Sequence, residues 1–275
     1  MKPPRFDYVA AASAEEVLEI LAQEGGEARI LAGGQSLLPM LNMRLAKPGV
    51  VVDIMKVAAW RDIKEDGSRL RVGAAVRQVE LEQRPDLAHQ QPLLAAALPW
   101  IGHPQTRNRG TVCGSIAHAD PSAELPLVLV ALGGTVHLRS RRRARDVAAA
   151  EFFAGMMATA RADEEAIEAV SIPLARPGTG YAFREVARRH GDFAIIGCAA
   201  VVDGKEARLA IAGVADRSVV RTFPLPEARE LDDALDAFAW DLEARDDLHA
   251  TARYRRELVR RLGRATIEEA QRCRA

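Results

Sequence analysis

The stretch ILAGGQSLLPMLNMRLAKPGVVVDI, Ile30 to Ile54, constrains the fold more than any other part of the chain. A short apolar run, ARILA (28–32), meets a glycine pair, Gly33-Gly34. A helical segment, SLLPMLNMRLA (36–46), follows, and a second apolar run, VVVDI (50–54), closes the stretch. Strand, helix and strand at this spacing predict a compact β-α-β unit. Pro39 is compatible with the helix only in its first turn, where no intrahelical N–H is needed. The glycine pair then lies at the strand-to-helix turn. Two readings are open there: a tight turn and nothing more, or a turn shaped to hold a phosphate.

Ser13 and Glu16 form a capping box for a first helix whose apolar face carries Val17, Leu18 and Leu21, and Gly25-Gly26 ends it. Asp66-Gly67 predicts a hairpin turn, and helical segments follow over Gln78–Arg84 and Gln91–Leu98. In ADPSAELPLVLVAL, Asp120 is placed to cap a helix with Pro121 in its first turn and the apolar run to Leu132 packed. GTVHLRS and RARDV predict paired strands, and EEAIEAVSIPL another. From Pro177 the texture changes to successive strand-like runs with short turns, GYAFREVAR, DFAIIGCAAVVDG, EARLAIAGVA and RSVVRTF. That pattern predicts an antiparallel sheet. Helices near Pro226–Phe238 and Ala250–Arg272 close the chain, and RPGTG (176–180) marks the expected boundary.

Lys plus Arg equals Asp plus Glu, 38 each, so no net charge draws the chain to nucleic acid or an anionic membrane. The basic cluster RSRRRAR (139–145) reads as a solvated hairpin or a docking patch. No stretch approaches the roughly 18–20 apolar residues of a membrane span, and the N-terminus lacks the apolar core of a cleaved leader. A cytoplasmic protein is the expectation. Cys113, Cys198 and Cys273 are far apart and form no ligand-type spacing. No iron–sulfur cluster can therefore be assigned to this chain.

A second small-residue loop, RNRGTVCGSIAHADP, carries Gly110, Gly114, Thr111 and Ser115. Two such loops can grip the two sides of one diphosphate through backbone N–H groups at close range. Neither is GxGxxG with an acidic ribose partner, and neither is followed by Gly-Lys-Ser/Thr. The readings that remain centre on a large diphosphate cofactor bound outside a Rossmann frame.

AGGQSLLP together with RNRGTVCGSIAHADPSAE resembles the FAD-binding medium subunits of molybdenum hydroxylases, the family of xanthine dehydrogenase and aerobic carbon monoxide dehydrogenase. RRHGDFAIIGCAAVV and DDLHATARYRRELVRRL resemble that family's C-terminal motifs, so the likeness runs over nearly the whole chain. The resemblance implies an α+β fold: a two-lobed α/β FAD-binding domain of the PCMH type over 1–176, with lobes of about 1–56 and 57–176, and a C-terminal domain over 177–275 with an antiparallel sheet and helices. It implies cofactor contacts from Ala32, Gly33, Gly34, Gln35, Ser36 and Leu37 on one side of the diphosphate. Thr111, Cys113, Gly114 and Ser115 would lie on the other. His118 and Asp120 are further candidates, Asp120 also as a plain helix cap. Ile101, Ile167 and Arg184 align with additional FAD contacts. Phe193 falls where the family places a bulky residue near the flavin ring, and a core Phe is the competing reading. One departure stands out: Cys113 occupies a usual glycine position, which would strain the backbone if that position needs a positive φ.

The implied function is that of an oxidoreductase subunit whose flavin receives electrons from 2Fe-2S clusters on a small partner chain and passes them to an external acceptor. Molybdopterin would sit on a large partner chain, and a dimer of heterotrimers is the implied assembly. No general base or nucleophile is required, and His103, His118 and His190 read as hydrogen-bonded loop residues. Two other functions stay open: a free-standing flavin reductase with a related fold, which needs its own substrate pocket and proton donor, and a non-redox nucleotide-binding assembly protein. The substrate and the electron acceptor (quinone, NAD or oxygen) are not legible in this chain.

Overall fold

The computed structural model describes residues 2–225 and 228–274. The first lobe is the expected β-α-β unit with one extra strand. β1 (Asp7–Ala10), β2 (Ala28–Leu31) and β3 (Val50–Asp53) form a parallel sheet in the order β1-β3-β2. Helix α1 (Ala14–Glu24) buries Val17, Leu18 and Leu21. Ser13 Oγ accepts from Glu16 N at 3.2 Å, while Glu16 Oε2 accepts from Ala12 N at 2.8 Å, one residue earlier than a strict capping box. Helix α2 (Leu37–Asn42) stops short of the expected Ala46, because Arg44 turns the backbone to φ +59°. Pro39 lies in its first turn, as the ring requires.

The second lobe is a five-stranded antiparallel sheet in the order β4-β5-β10-β6-β7. Its strands are β4 (Ile63–Asp66), β5 (Arg69–Gly73), β6 (Thr135–Arg139), β7 (Ala144–Ala148) and, after a short hairpin of β8 (Phe153–Gly155) and β9 (Ala158–Thr159), the central β10 (Ala166–Pro173). The basic cluster is the β6–β7 hairpin: Arg139 pairs with Glu168 at 3.1 Å and Arg145 with Glu165 at 2.7 Å. Four short helices follow the sheet's first hairpin: α3 (Gln78–Glu82), α4 (Leu87–Gln90), α5 (Pro92–Ala97) and α6 (Pro104–Arg107).

Two expectations are corrected between Thr111 and Leu132. The second small-residue loop is largely a helix, α7 (Val112–His118), capped by Thr111 Oγ1, which accepts from Gly114 N at 3.0 Å. The following helix, α8 (Glu124–Leu132), begins four residues after Asp120. Asp120 does not cap it. Its Oδ1 accepts from Ser122 N at 2.8 Å, an Asx turn that leaves Pro121 outside the helix. Every residue of α8 is buried, so it is the central helix of the molecule, with α9 (Ala149–Phe152) packed beside it.

The C-terminal part is the expected antiparallel sheet, β11 (Gly180–Val186), β12 (Ile196–Val202), β13 (Glu206–Ala212) and β14 (Val219–Pro224), in sequential order. The helix expected from Pro226 runs as α10 (Ala228–Asp241), Pro226 itself lying outside the described residues; α11 (Ala252–Arg272) follows. Strand alternation splits this sheet between two cores. Phe183, Ala199, Ala210 and Ala212 join the core built around α8 and the second lobe. Ala182, Cys198, Ala200 and Leu209 face α10 and α11 with Leu235, Phe238, Val259 and Ile267. Each fully buried Leu, Ile, Val or Phe among them contributes about 1.5–3 kcal/mol, so the sheet is held from both faces.

Candidate functional site

The turn after β2 and the segment before α7 are in direct contact. A Cβ at Gly33 would lie 2.2 Å from the Arg109 carbonyl oxygen and 2.6 Å from Gly110 Cα. No other residue permits this approach. Gly34 has φ +74°, the left-handed region that glycine occupies without strain. Among the described residues the N–H groups of Gly33, Gly34, Gln35 and Ser36 donate to no protein acceptor. They are donors left free by the turn. On the other side, the Thr111 cap and an antiparallel bridge between Thr111 and Arg77 fix the start of α7.

The two segments wall a cavity of about 570 Å³, within the usual range for cofactor-sized sites. It draws residues from both lobes and from the β11–β12 loop. Ala32 to Leu37, Ile101, Thr111, Cys113, Gly114, Ser115, His118, Asp120, Ile167 and Phe193 all line it. Phe193 is 72% exposed at the mouth, so it is not a core phenylalanine. Its loop rests on Gly102 and His103 through Gly191, whose φ is +85°, while the His190 ring lies 4.9 Å from Trp100.

Arg184 is not among the residues that line this cavity. Strand alternation turns it toward α11, where its Nε donates to Glu269 Oε2 at 2.7 Å. Cys113 is not strained, because φ is negative there, at the second residue of α7. Its thiol donates to the Val72 carbonyl at 3.6 Å, and burial pushes it up to about 12. It is a core thiol, neither nucleophile nor ligand.

Sequence reasoning missed several lining groups. Gln78 lines the cavity with a buried Oε1 that has no protein partner. Arg29 and Arg161 line it as well, and burial lowers the Arg161 pKa from its ordinary value. Glu124 lines it from the first turn of α8, and burial pushes its carboxyl up to about 7, with Asp120 adding to the rise. One signal for Glu124 was in the sequence: a lone charge heading the unbroken apolar run LPLVLVAL.

A cradle in which glycine is obligatory and free backbone donors together fit a diphosphate cofactor, and the unpartnered Gln78 oxygen is free to accept from a hydroxyl or N–H elsewhere on such a cofactor. Comparison with known proteins agrees. Residues 4–175 match the family described as FAD binding domain in molybdopterin dehydrogenase, and residues 181–270 match the CO dehydrogenase flavoprotein C-terminal domain. The chain belongs to the FAD-binding medium subunits of molybdenum hydroxylase complexes. It is 38% identical to the nicotine 6-hydroxylase medium subunit of Paenarthrobacter nicotinovorans, over 98% of this chain and 99% of that protein. It is 36% identical to subunit alpha of that organism's 6-hydroxypseudooxynicotine dehydrogenase complex, over 98% and 96%. Among solved structures, a carbon monoxide dehydrogenase chain from Hydrogenophaga pseudoflava superposes with TM-score 0.94 at 33% identity, covering 100% of both chains.

Proposed function

We propose that this chain is the electron-transfer subunit of a molybdenum hydroxylase, receiving electrons from 2Fe-2S clusters on a small partner chain whose molybdopterin-bearing large partner oxidises the substrate. The observation that carries this reading is the contact at Gly33, which brings two backbone segments together around free N–H donors beside a cofactor-sized cavity. When bound there, FAD supplies the redox chemistry and an external acceptor takes the electrons. The chain's own residues bind and orient. The Ala32–Leu37 turn and the Thr111–Ser115 helix start hold the diphosphate from two sides. Ile101 and Ile167, both buried, provide apolar wall. His118, Asp120 and Phe193 complete the contacts, Phe193 at the open end, where the flavin ring would be reached by a partner.

The names of the relatives, subunits and medium chains of complexes, support partner chains for this protein too. A dimer of heterotrimers in the cytoplasm is the proposed assembly. Among the described residues no helix is long and apolar enough to cross a membrane. The two family matches also support two units divided near Arg176, 1–176 and 177–275.

The test is an absorbance spectrum of the chain purified alone and again after incubation with FAD and desalting. Retained flavin bands that disappear in Gly33→Val support the reading. A chain that stays colourless, alone and in the co-expressed complex, rejects it.

A further inference from the structure

Glu185 is a buried carboxyl on β11, behind the residues that line the cofactor cavity. It is 9% exposed, and neither of its oxygens has a hydrogen-bond partner among the described residues. The register of the sheet says what it faces. Glu185 on β11 lies directly opposite Gly197 on β12, so both point to the same side. A Cβ at Gly197 would meet Leu127 Cδ2 at 2.9 Å, which places that side against α8. Leu127 is one helical turn beyond Glu124, on the same face of α8. Glu185 thus lies on the side of the sheet that faces α8, Glu124 on that helix acts on it electrostatically, and Glu124 also lines the cavity.

Among the described residues no cation is among the groups that act on Glu185 or Glu124. The elements around Glu185 are β12 (IGCAAVV), α5 (PLLAAA) and the turn Leu98–Trp100, none with a charged side chain. Arg184 points to the opposite face and is paired with Glu269. Asp120, the next group along the cavity wall, adds like charge to Glu124. The remaining titratable and cationic groups on the cavity wall are His118, Asp192, Arg29, Arg161 and the Cys113 thiol, and none of them is among the interactions that act on Glu185. A buried carboxyl with no hydrogen-bond partner, and with a second buried carboxyl acting on it, cannot be ionised at small cost.

We propose that Glu185 and Glu124 together retain a proton at the wall of the cofactor cavity, and that releasing it to solvent weakens the hold on an anionic diphosphate cofactor. The second half rests on the FAD reading above. Burial, reinforced by Glu124, raises the Glu185 carboxyl from an ordinary 4.5 to about 8. Carboxyls raised in the folded state contribute full stability below their ordinary value. That stability is lost progressively as pH rises toward the folded value, so the loss falls between about pH 5 and about pH 8.

The experiment compares wild type with Glu124→Gln/Glu185→Gln and with Glu185→Gln alone, since glutamine keeps the shape and the neutral state. Melting of the FAD-free chain between about pH 5.5 and about pH 8.5 should show the double variant gaining on wild type as pH rises. The gain should reach about 3 °C or more at the alkaline end. A difference that stays constant across the range overturns the proton pair, and Glu185→Gln decides the question if the double variant does not fold. FAD affinity, read by quenching of flavin fluorescence, should fall about tenfold over the same range in wild type and change less than about twofold in the double variant. FAD bound with the same pH profile by both proteins overturns the second half and leaves the cofactor reading intact. No binding at any pH overturns the cofactor reading and the second half with it, while the melting curves still decide the first.

Discussion

A methyl group at position 33 would have to share space with the Arg109 carbonyl oxygen. Gly33→Ala is therefore expected to push the two segments apart, costing about 1–3 kcal/mol of stability and weakening FAD at least tenfold; a urea titration and a fluorescence titration on the same preparation check both. Cys113 behaves differently. Its thiol is packed against the Val72 carbonyl, not against the cavity's donors. Cys113→Gly, the residue usual at this position in the family, should cost about 1–2 kcal/mol through lost burial and added chain entropy yet change FAD affinity by less than about threefold. Equal losses in both measurements would show that Cys113 shapes the cavity directly. Glu165 carries a pH prediction of opposite sign to the carboxyl pair. Its side chain is 1% exposed and pairs with Arg145 at 2.7 Å, and that hydrogen bond holds its carboxyl below the ordinary value. Its stabilisation is full above the ordinary carboxylate range and is lost as pH falls through the folded value. Glu165→Gln should thus cost about 1–3 kcal/mol near pH 7, and thermal melts of the two proteins should converge as pH falls below about 4.

Among the elements, α8 joins the lobes to the C-terminal sheet, and it does so by shape. Gly197 leaves room for Leu127, which is fully buried. Leu127→Ala should cost about 2–5 kcal/mol and Gly197→Ala about 1–3 kcal/mol through overpacking. Because the added methyl refills part of the space the leucine vacates, the double variant should be more stable than the sum of the two losses predicts. Strict additivity in chemical denaturation would show that the pair is not in contact. The start of α8 was misjudged from sequence for a local reason. Asp-Pro-Ser is an equally good helix start and Asx turn, and what separates them is where the chain must travel between α7 and the buried helix. β1 was missed because Asp7–Ala10 is a short, largely exposed strand with no alternation. It exists only through parallel pairing with β3, from Asp7–Val50 to Ala10–Asp53.

For the whole molecule, a cofactor spanning both lobes and the β11–β12 loop ties together segments far apart in the chain, so binding should stabilise the fold as a unit. At FAD about a hundredfold above its Kd the gain is about 2.7 kcal/mol, a rise in Tm of about 5 °C or more for a chain of this size; a melt with and without FAD reads it, and an unchanged Tm would place binding outside the folded cavity. What the sequence alone determined was whatever short-range pattern encodes: the glycine turn of the β-α-β unit, the four antiparallel strands, the closing helices and the motif set of the family. Apolar periodicity and glycine chemistry act over a few residues, and so they can be read there. Alternation along GYAFREV likewise says that Arg184 and Glu185 point opposite ways. Which of them turns toward α8 was decided only by packing, because β11 is buried on both faces and α8 occupies the side that Glu185 shares with Gly197. The tertiary structure alone therefore paired Arg184 with Glu269 away from the cavity lining, set Phe193 exposed on that lining and turned Glu185 toward the side where α8 lies, since each of these depends on partners some tens of residues or more away, whose proximity no local pattern records.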